Sequence, residues 1–179
     1  MTLISELKKI CKDISGNVLT IGLEFPTVEQ VLEKNTNIKN SYSLDFNGKK
    51  RTRQQTTNGK GKTIFINKIR KVFKKKKIDF IICNFEDIGR FLRTFIKDSV
   101  YINKSKLYIY GYTKDIDLEL LEKRYKRYNT KIEILEFENQ ILITIDNSNA
   151  KNNPFKDFGY YICDIGYSLI NLIGDLLIS

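Results

Sequence analysis

The sequence predicts an α/β protein whose sheet is mostly parallel and covered by helices on both faces. Short apolar runs rich in β-branched residues alternate with stretches whose apolar residues recur every three or four positions, the pattern of strands joined by crossover helices. The last two runs, Lys131 to Glu138 and Gln140 to Asp146, meet at Glu138-Asn139-Gln140 and predict a terminal antiparallel β-hairpin. With 179 residues, 41% hydrophobic and 12% aromatic, the chain has the length of one domain and too much apolar content for intrinsic disorder.

Leu3, Leu7 and Ile10 share one face of a helix from Leu3 to Ile14, which Ser15-Gly16 ends. Asn17 to Leu23 reads as a buried strand. Pro26 suits a first helical turn, and Val28, Val31 and Leu32 form the face of a short helix. Ser41 to Phe46 is a second strand, closed by Asn47-Gly48. From 47 to 63 the chain is polar, basic and glycine-containing, which predicts an inserted basic loop or disorder. Thr63-Ile-Phe-Ile66 is a brief strand or the approach to a helix with Ile66, Ile69 and Phe73 on one face.

Lys77 to Asn84 is the strongest strand in the chain. Glu86-Asp87 opens the next helix, where carboxylates complement the N-terminal dipole, and Ile88, Phe91, Leu92, Phe95 and Ile96 are its stripe. Lys106 to Tyr112 is another strand. Asp115 or Asp117 caps a helix with Leu118, Leu121, Tyr125 and Tyr128 on one face. These elements form a domain over 1–146, with a polar linker at 147–154 and a C-terminal amphipathic helix at 155–179. In that helix Phe158, Tyr161, Ile162, Ile165, Leu169, Leu172, Ile173 and Leu176 recur at spacings of three and four. Asp164 and Asp175 argue against a membrane span, so the helix docks on its own domain or serves a homodimer or a protein partner.

Histidine is absent, which removes imidazole bases and His-containing metal sites. Cys11, Cys83 and Cys163 stand too far apart for a CxxC pair, so reduced, buried thiols and no metal are expected. The N-terminus carries charge early and lacks the apolar run of a signal peptide, which points to a cytoplasmic protein. Gly59-Lys-Gly-Lys-Thr63 falls short of a phosphate-binding loop, because Thr56 stands where the motif needs its first glycine.

The net charge of +10 is unevenly placed. Between Asn47 and Ile78 there are 13 basic residues and no acidic one, against 18 basic and 21 acidic in the rest. The whole excess lies in that segment, so Lys49, Lys50, Arg51, Arg53, Lys60, Lys62, Lys71, Lys74 and Lys75 are candidate contacts to nucleic acid or another polyanion. The plain alternative is a solvated loop followed by a lysine-faced helix. Aromatic interleaving, which base stacking needs, is confined to Phe65 and Phe73.

Three strand ends carry the remaining signal. Gly22 stands in Leu19-Thr-Ile-Gly-Leu-Glu-Phe, Asp45 in Tyr42-Ser-Leu-Asp-Phe and Asn84 in Ile82-Cys-Asn-Phe. Together with the element order, from about Leu3 to Asp146, this resembles the class I S-adenosylmethionine-dependent methyltransferases, with their Rossmann-like sheet. The resemblance implies S-adenosylmethionine (SAM) as cofactor, cradled by Gly22 and the backbone after it. Asp45 would then meet the ribose hydroxyls, and Asn84 would line the reaction centre. The family's first turn has two or three glycines; here Gly22 is alone, followed by Leu23-Glu-Phe-Pro26.

Each of the three positions also has a structural use. Asp45-Phe-Asn-Gly is a good turn sequence, Gly22 allows close helix–strand packing, and Asn84 caps the following helix. Two functions follow: SAM-dependent methyl transfer, or a non-catalytic protein of the same fold that grips a polyanion through residues 49–77. An open polar pocket between Gly22, Asp45 and Asn84 is expected of the enzyme. Leu23, Phe25 and Phe85 filling that space are expected of the binding protein.

Overall fold

Strand and helix order follow the alternation in the sequence. The computed structural model describes residues 2–47, 50–55, 62–63, 69, 73–89 and 92–150, with side chains for all of these except 45–47, 50–55, 62–63 and 93. The elements are α1 (Leu3–Asp13), β1 (Gly16–Ile21), α2 (Pro26–Lys34), β2 (Ile38–Asn47), β3 (Lys50–Gln55), β4 (Lys62–Thr63), β5 (Ile78–Asn84), α3 (Phe85–Ile88), α4 (Leu92–Ile102), β6 (Asn103–Tyr112), α5 (Leu118–Lys126), β7 (Lys131–Phe137) and β8 (Gln140–Asp146). The expected C-terminal helix at 155–179, most of the linker before it and Cys163 lie outside the described residues.

Among the described residues eight strands form one sheet in the order β4-β3-β2-β1-β5-β6-β8-β7. β2, β1, β5 and β6 are parallel neighbours, and β8 runs antiparallel to both β6 and β7, which is the hairpin that the sequence predicts. On the other side, β3 runs antiparallel to β2 from Asn47↔Lys50 to Tyr42↔Gln55. The expectation of a loop over 47–63 is therefore corrected for Lys50–Gln55 and Lys62–Thr63, which are strands. Asn47-Gly48 between two extended runs is a hairpin signal, and a strand near the sheet edge tolerates charged side chains that a central strand would not.

Side chains alternate between two apolar layers. Leu19, Ile81, Cys83, Leu107 and Ile109 enter one core with Ile88, Phe95, Val100, Leu121 and Tyr125 from α3, α4 and α5. Val18, Ile82, Tyr108 and Tyr110 enter the other with Leu3, Leu7 and Cys11 of α1 and Val28 and Leu32 of α2. A sheet buried on both faces needs apolar residues at successive positions, which is why its central strands are continuous apolar runs. Each fully buried aliphatic side chain contributes about 1.5–3 kcal/mol relative to exposure.

Helix ends obey local chemistry. At α1 the Thr2 hydroxyl accepts the Ser5 N–H at 3.2 Å while the Ser5 hydroxyl oxygen accepts the Thr2 N–H at 3.1 Å. Asn35, just after α2, donates its side-chain amide to the carbonyls of Cys11 at 2.8 Å and Ile14 at 2.9 Å, which joins the two helices. Asp117 caps α5 by accepting the Leu120 N–H at 2.9 Å. The stripe expected from Glu86 falls on α3 and α4, with Gly89 in right-handed helical conformation after the first, and Phe91 lies outside the described residues. Among the described residues no helix is long and apolar enough to cross a membrane.

Candidate functional site

The sheet changes its direction of growth between β1 and β5: β2 lies on one side of β1, while β5 and β6 lie on the other. In open α/β sheets, ligands bind at the carboxyl ends of the strands beside such a switch point. Ile21 is in register with Leu44 and with Cys83, and Cys83 with Ile109. The residues that follow, Asp45, Gly22, Asn84 and Tyr110, therefore form one row across four strands. Asn84 pairs with Tyr110, and the Gly22 N–H donates to the Leu44 carbonyl at 2.9 Å. The three residues singled out from the sequence thus come together, Asp45 by its backbone in register with Thr52.

The protein's own side chains crowd this row. Gly22 has φ +60°, and a Cβ there would run into the carboxylate of Asp87 from α3. The Tyr110 hydroxyl donates to the Gly22 carbonyl at 2.8 Å, and its ring lies 5.5 Å from that of Phe25. Leu23 and Phe85 are each 8% exposed. The Asn84 side-chain oxygen accepts the Glu86 N–H at 3.1 Å, the N-cap of α3.

The negative charge of Asp87 is felt by two buried groups of this cluster. The Cys83 thiol is pushed well up, by burial first and then by the negative charge of Asp87. Burial likewise raises the Tyr110 hydroxyl, with Asp87 a smaller contributor. Both groups stay protonated at neutral pH and act as packing and hydrogen-bonding groups, not as bases.

A cofactor held by a glycine turn needs the space that the missing side chain leaves. Here Asp87 takes that space, Leu23 and Phe85 are buried beside it, and the Asn84 oxygen is engaged as a cap. In this arrangement Gly22 and Asn84 are both engaged by the protein's own groups. No three His, Cys, Asp or Glu side chains converge as metal ligands among the described residues.

The basic segment is divided between the two ends of the sheet. In β3, Arg51 pairs with Phe46 and Arg53 with Leu44, so these residues and Lys50 stand toward the carboxyl end of β2, with Lys62 in β4 opposite Arg53. Lys74 and Lys75 are exposed in the turn before β5, at the amino end. The seven residues of β5 separate the two ends by roughly 20 Å. Lys49, Lys60 and Lys71 lie outside the described residues.

Sequence reasoning treated Asp87 as a helix-start carboxylate and Tyr110 as a strand residue. The available signal was the bulky Leu23-Glu-Phe-Pro26 after a lone glycine, which suits a turn packed against a side chain. It also passed over Lys39 and Lys104, which the fold brings beside Lys76 and Lys77.

No family model and no curated protein sequence matches the chain. Among solved structures, the small RNA methyltransferase HEN1 is similar with a TM-score of 0.50 and 12% identity, over 84% of this chain and 25% of that one. The N-terminal domain of human METTL16 in complex with SAH is similar with a TM-score of 0.41 and 12% identity, over 81% of this chain and 68% of that one. The chain thus spans about a quarter of the HEN1 chain, and at this identity the likeness is one of fold. It has the α/β fold of a SAM-dependent methyltransferase, with Asp87 occupying the turn after the first strand.

Proposed function

We propose that this chain is a non-catalytic protein on the methyltransferase fold that binds nucleic acid or another polyanion through its basic 49–77 segment. The observation that carries the non-catalytic reading is the Asp87 carboxylate seated on Gly22. The turn has kept the glycine but uses its missing side chain to admit a helix residue. The binding reading is supported by the 13 basic residues between Asn47 and Ile78. It is also supported by HEN1, a protein of this fold whose substrate is a small RNA.

Calorimetric titration of the folded protein with SAM and S-adenosylhomocysteine tests the reading. No heat with either ligand is expected; micromolar binding of either overturns it. One observation favours a second reading, SAM-dependent methyl transfer: Gly22, Asp45 and Asn84 share a row at the switch point. That reading requires the Asp87 carboxylate to leave the turn. It therefore expects tighter SAM binding in Asp87→Ala and loss of binding in Asp45→Ala.

A further inference from the structure

At the opposite end of the sheet, the amino ends of β1, β5 and β6 and the turn before β2 enclose an open cleft of about 710 Å³. Four lysines line it, Lys39, Lys76, Lys77 and Lys104, and they come from three separate stretches of the chain. The acidic side chain lining the cleft is Asp79, and it is held by other groups. Its carboxylate accepts the Asn17 N–H at 2.8 Å, lies against Gly16, where a Cβ would collide with it, and stands 3.8 Å from the Lys104 amine. Four lysines and one engaged carboxylate therefore line the cleft.

Hydrogen bonds tie the wall of the cleft together. Lys76 has φ +51° and donates its amine to the carbonyls of Asn103 at 2.9 Å and Asn147 at 3.3 Å. An ammonium has three donors, so one remains for a ligand. Asn103 and Asn147 are fully buried and joined side chain to side chain at 2.9 Å, and Asn103 donates onward to the carbonyl of Asp79 at 3.0 Å. Burial first, and the neighbouring Lys75 second, lower the Lys76 amine from 10.5, so its charge gains from an anionic partner. Lys39, Lys77 and Lys104 are exposed around it, and Lys74 and Lys75 are exposed in the same turn.

We infer that this amino-end cleft is a phosphate-contacting site for the backbone of a nucleic acid strand. Lysines spread along an open cleft suit a chain of phosphates better than a single anion. A concave site admits an extended strand to Lys76, whereas a flat anionic membrane does not reach into it. Phe80 is the one aromatic side chain lining the cleft and it is half-buried, so the contacts are to backbone and independent of base sequence.

This inference rests on the polyanion-binding reading above but relocates its contacts: Lys39, Lys76, Lys77 and Lys104 here, in place of Arg51 and Arg53 at the other end. The test is anisotropy titration of a fluorescent single-stranded oligonucleotide across a salt series. The proteins are the wild-type chain, a Lys39→Ala/Lys77→Ala/Lys104→Ala variant, and a Lys50→Ala/Arg51→Ala/Arg53→Ala variant. Thermal melts of each verify folding. Each lost phosphate contact lowers the slope of log affinity against log salt by about 0.7, so the cleft variant is expected to lose about 2 in slope and about ten-fold or more in affinity.

A cleft variant that binds like the wild type overturns the inference and, if the other variant is impaired, leaves the binding reading standing. Failure of the wild-type chain to bind the oligonucleotide overturns the inference together with the nucleic-acid part of that reading. SAM binding by calorimetry overturns the non-catalytic reading alone and leaves the cleft result intact.

Discussion

At the scale of single residues, Gly22 is the position where the site's two uses compete. Its φ of +60° and the Asp87 carboxylate beside it both exclude a side chain. Gly22→Ala is expected to lower stability by about 1–3 kcal/mol, through backbone strain and collision together. In an Asp87→Ala background the collision with the carboxylate is gone, while a tight contact with its Cβ and the backbone strain remain, so the cost should fall without vanishing; urea denaturation of the four proteins measures it. Asn84→Ala removes the N-cap of α3 and should cost about 1 kcal/mol in the same assay. Its capping role was legible from an Asn at a strand–helix junction. Asp87 was not, because its partner Gly22 lies far away in sequence and only packing brings the two together.

At the scale of elements, α1 and α2 share an apolar core and are also joined by one polar side chain. Asn35 donates to carbonyls at the C-terminal end of α1 that have no partner within the helix. Asn35→Ala leaves the part-buried Cys11 and Ile14 carbonyls unpaired, at an expected cost of about 1–3 kcal/mol. Amide hydrogen exchange should report it as faster exchange in α1 with β5 and β6 little changed. Element type was read correctly wherever the apolar period was clear, as in β5, α5 and the β7–β8 hairpin. It was misread at Lys50–Gln55, where charged and polar residues carry no apolar alternation. That strand exists because β2 offers it an open edge, which is information outside its own sequence.

Across the whole molecule, the two cores hold ionisable groups that burial keeps neutral. The Cys11 thiol is pushed from 9.0 to about 12 and the Tyr108 hydroxyl from 10.0 to about 12, burial being the main cause in each. Cys83, Tyr110 and Tyr125 are raised as well, again chiefly by burial. Between the ordinary and the raised values the folded chain binds more protons than the unfolded one, so stability falls as pH rises from about 9. Urea midpoints at pH 7.5 and pH 10 should show a lower midpoint at pH 10, and an unchanged one would contradict this burial. Asp146 acts in the other direction. Hydrogen bonds from Ser148 hold its carboxyl below 3.8, so its contribution is present above that value and is lost as pH falls through the lowered one.

The sequence by itself determined the layered α/β architecture, since runs that bury both faces and helices that bury one are recognisable from period alone. The resemblance to the methyltransferases singled out three strand ends, Gly22, Asp45 and Asn84, and the strand order of the sheet sets them side by side. Whether that row is open to a ligand was decided by tertiary structure alone. The answer depends on where the Asp87 carboxylate comes to rest relative to Gly22, a contact between segments that no local pattern encodes. The amino-end cleft was decided in the same way. Lys39, Lys76, Lys77 and Lys104 are ordinary surface lysines in the chain, and a concentrated field in the cleft arises only when the sheet brings three distant stretches to one end.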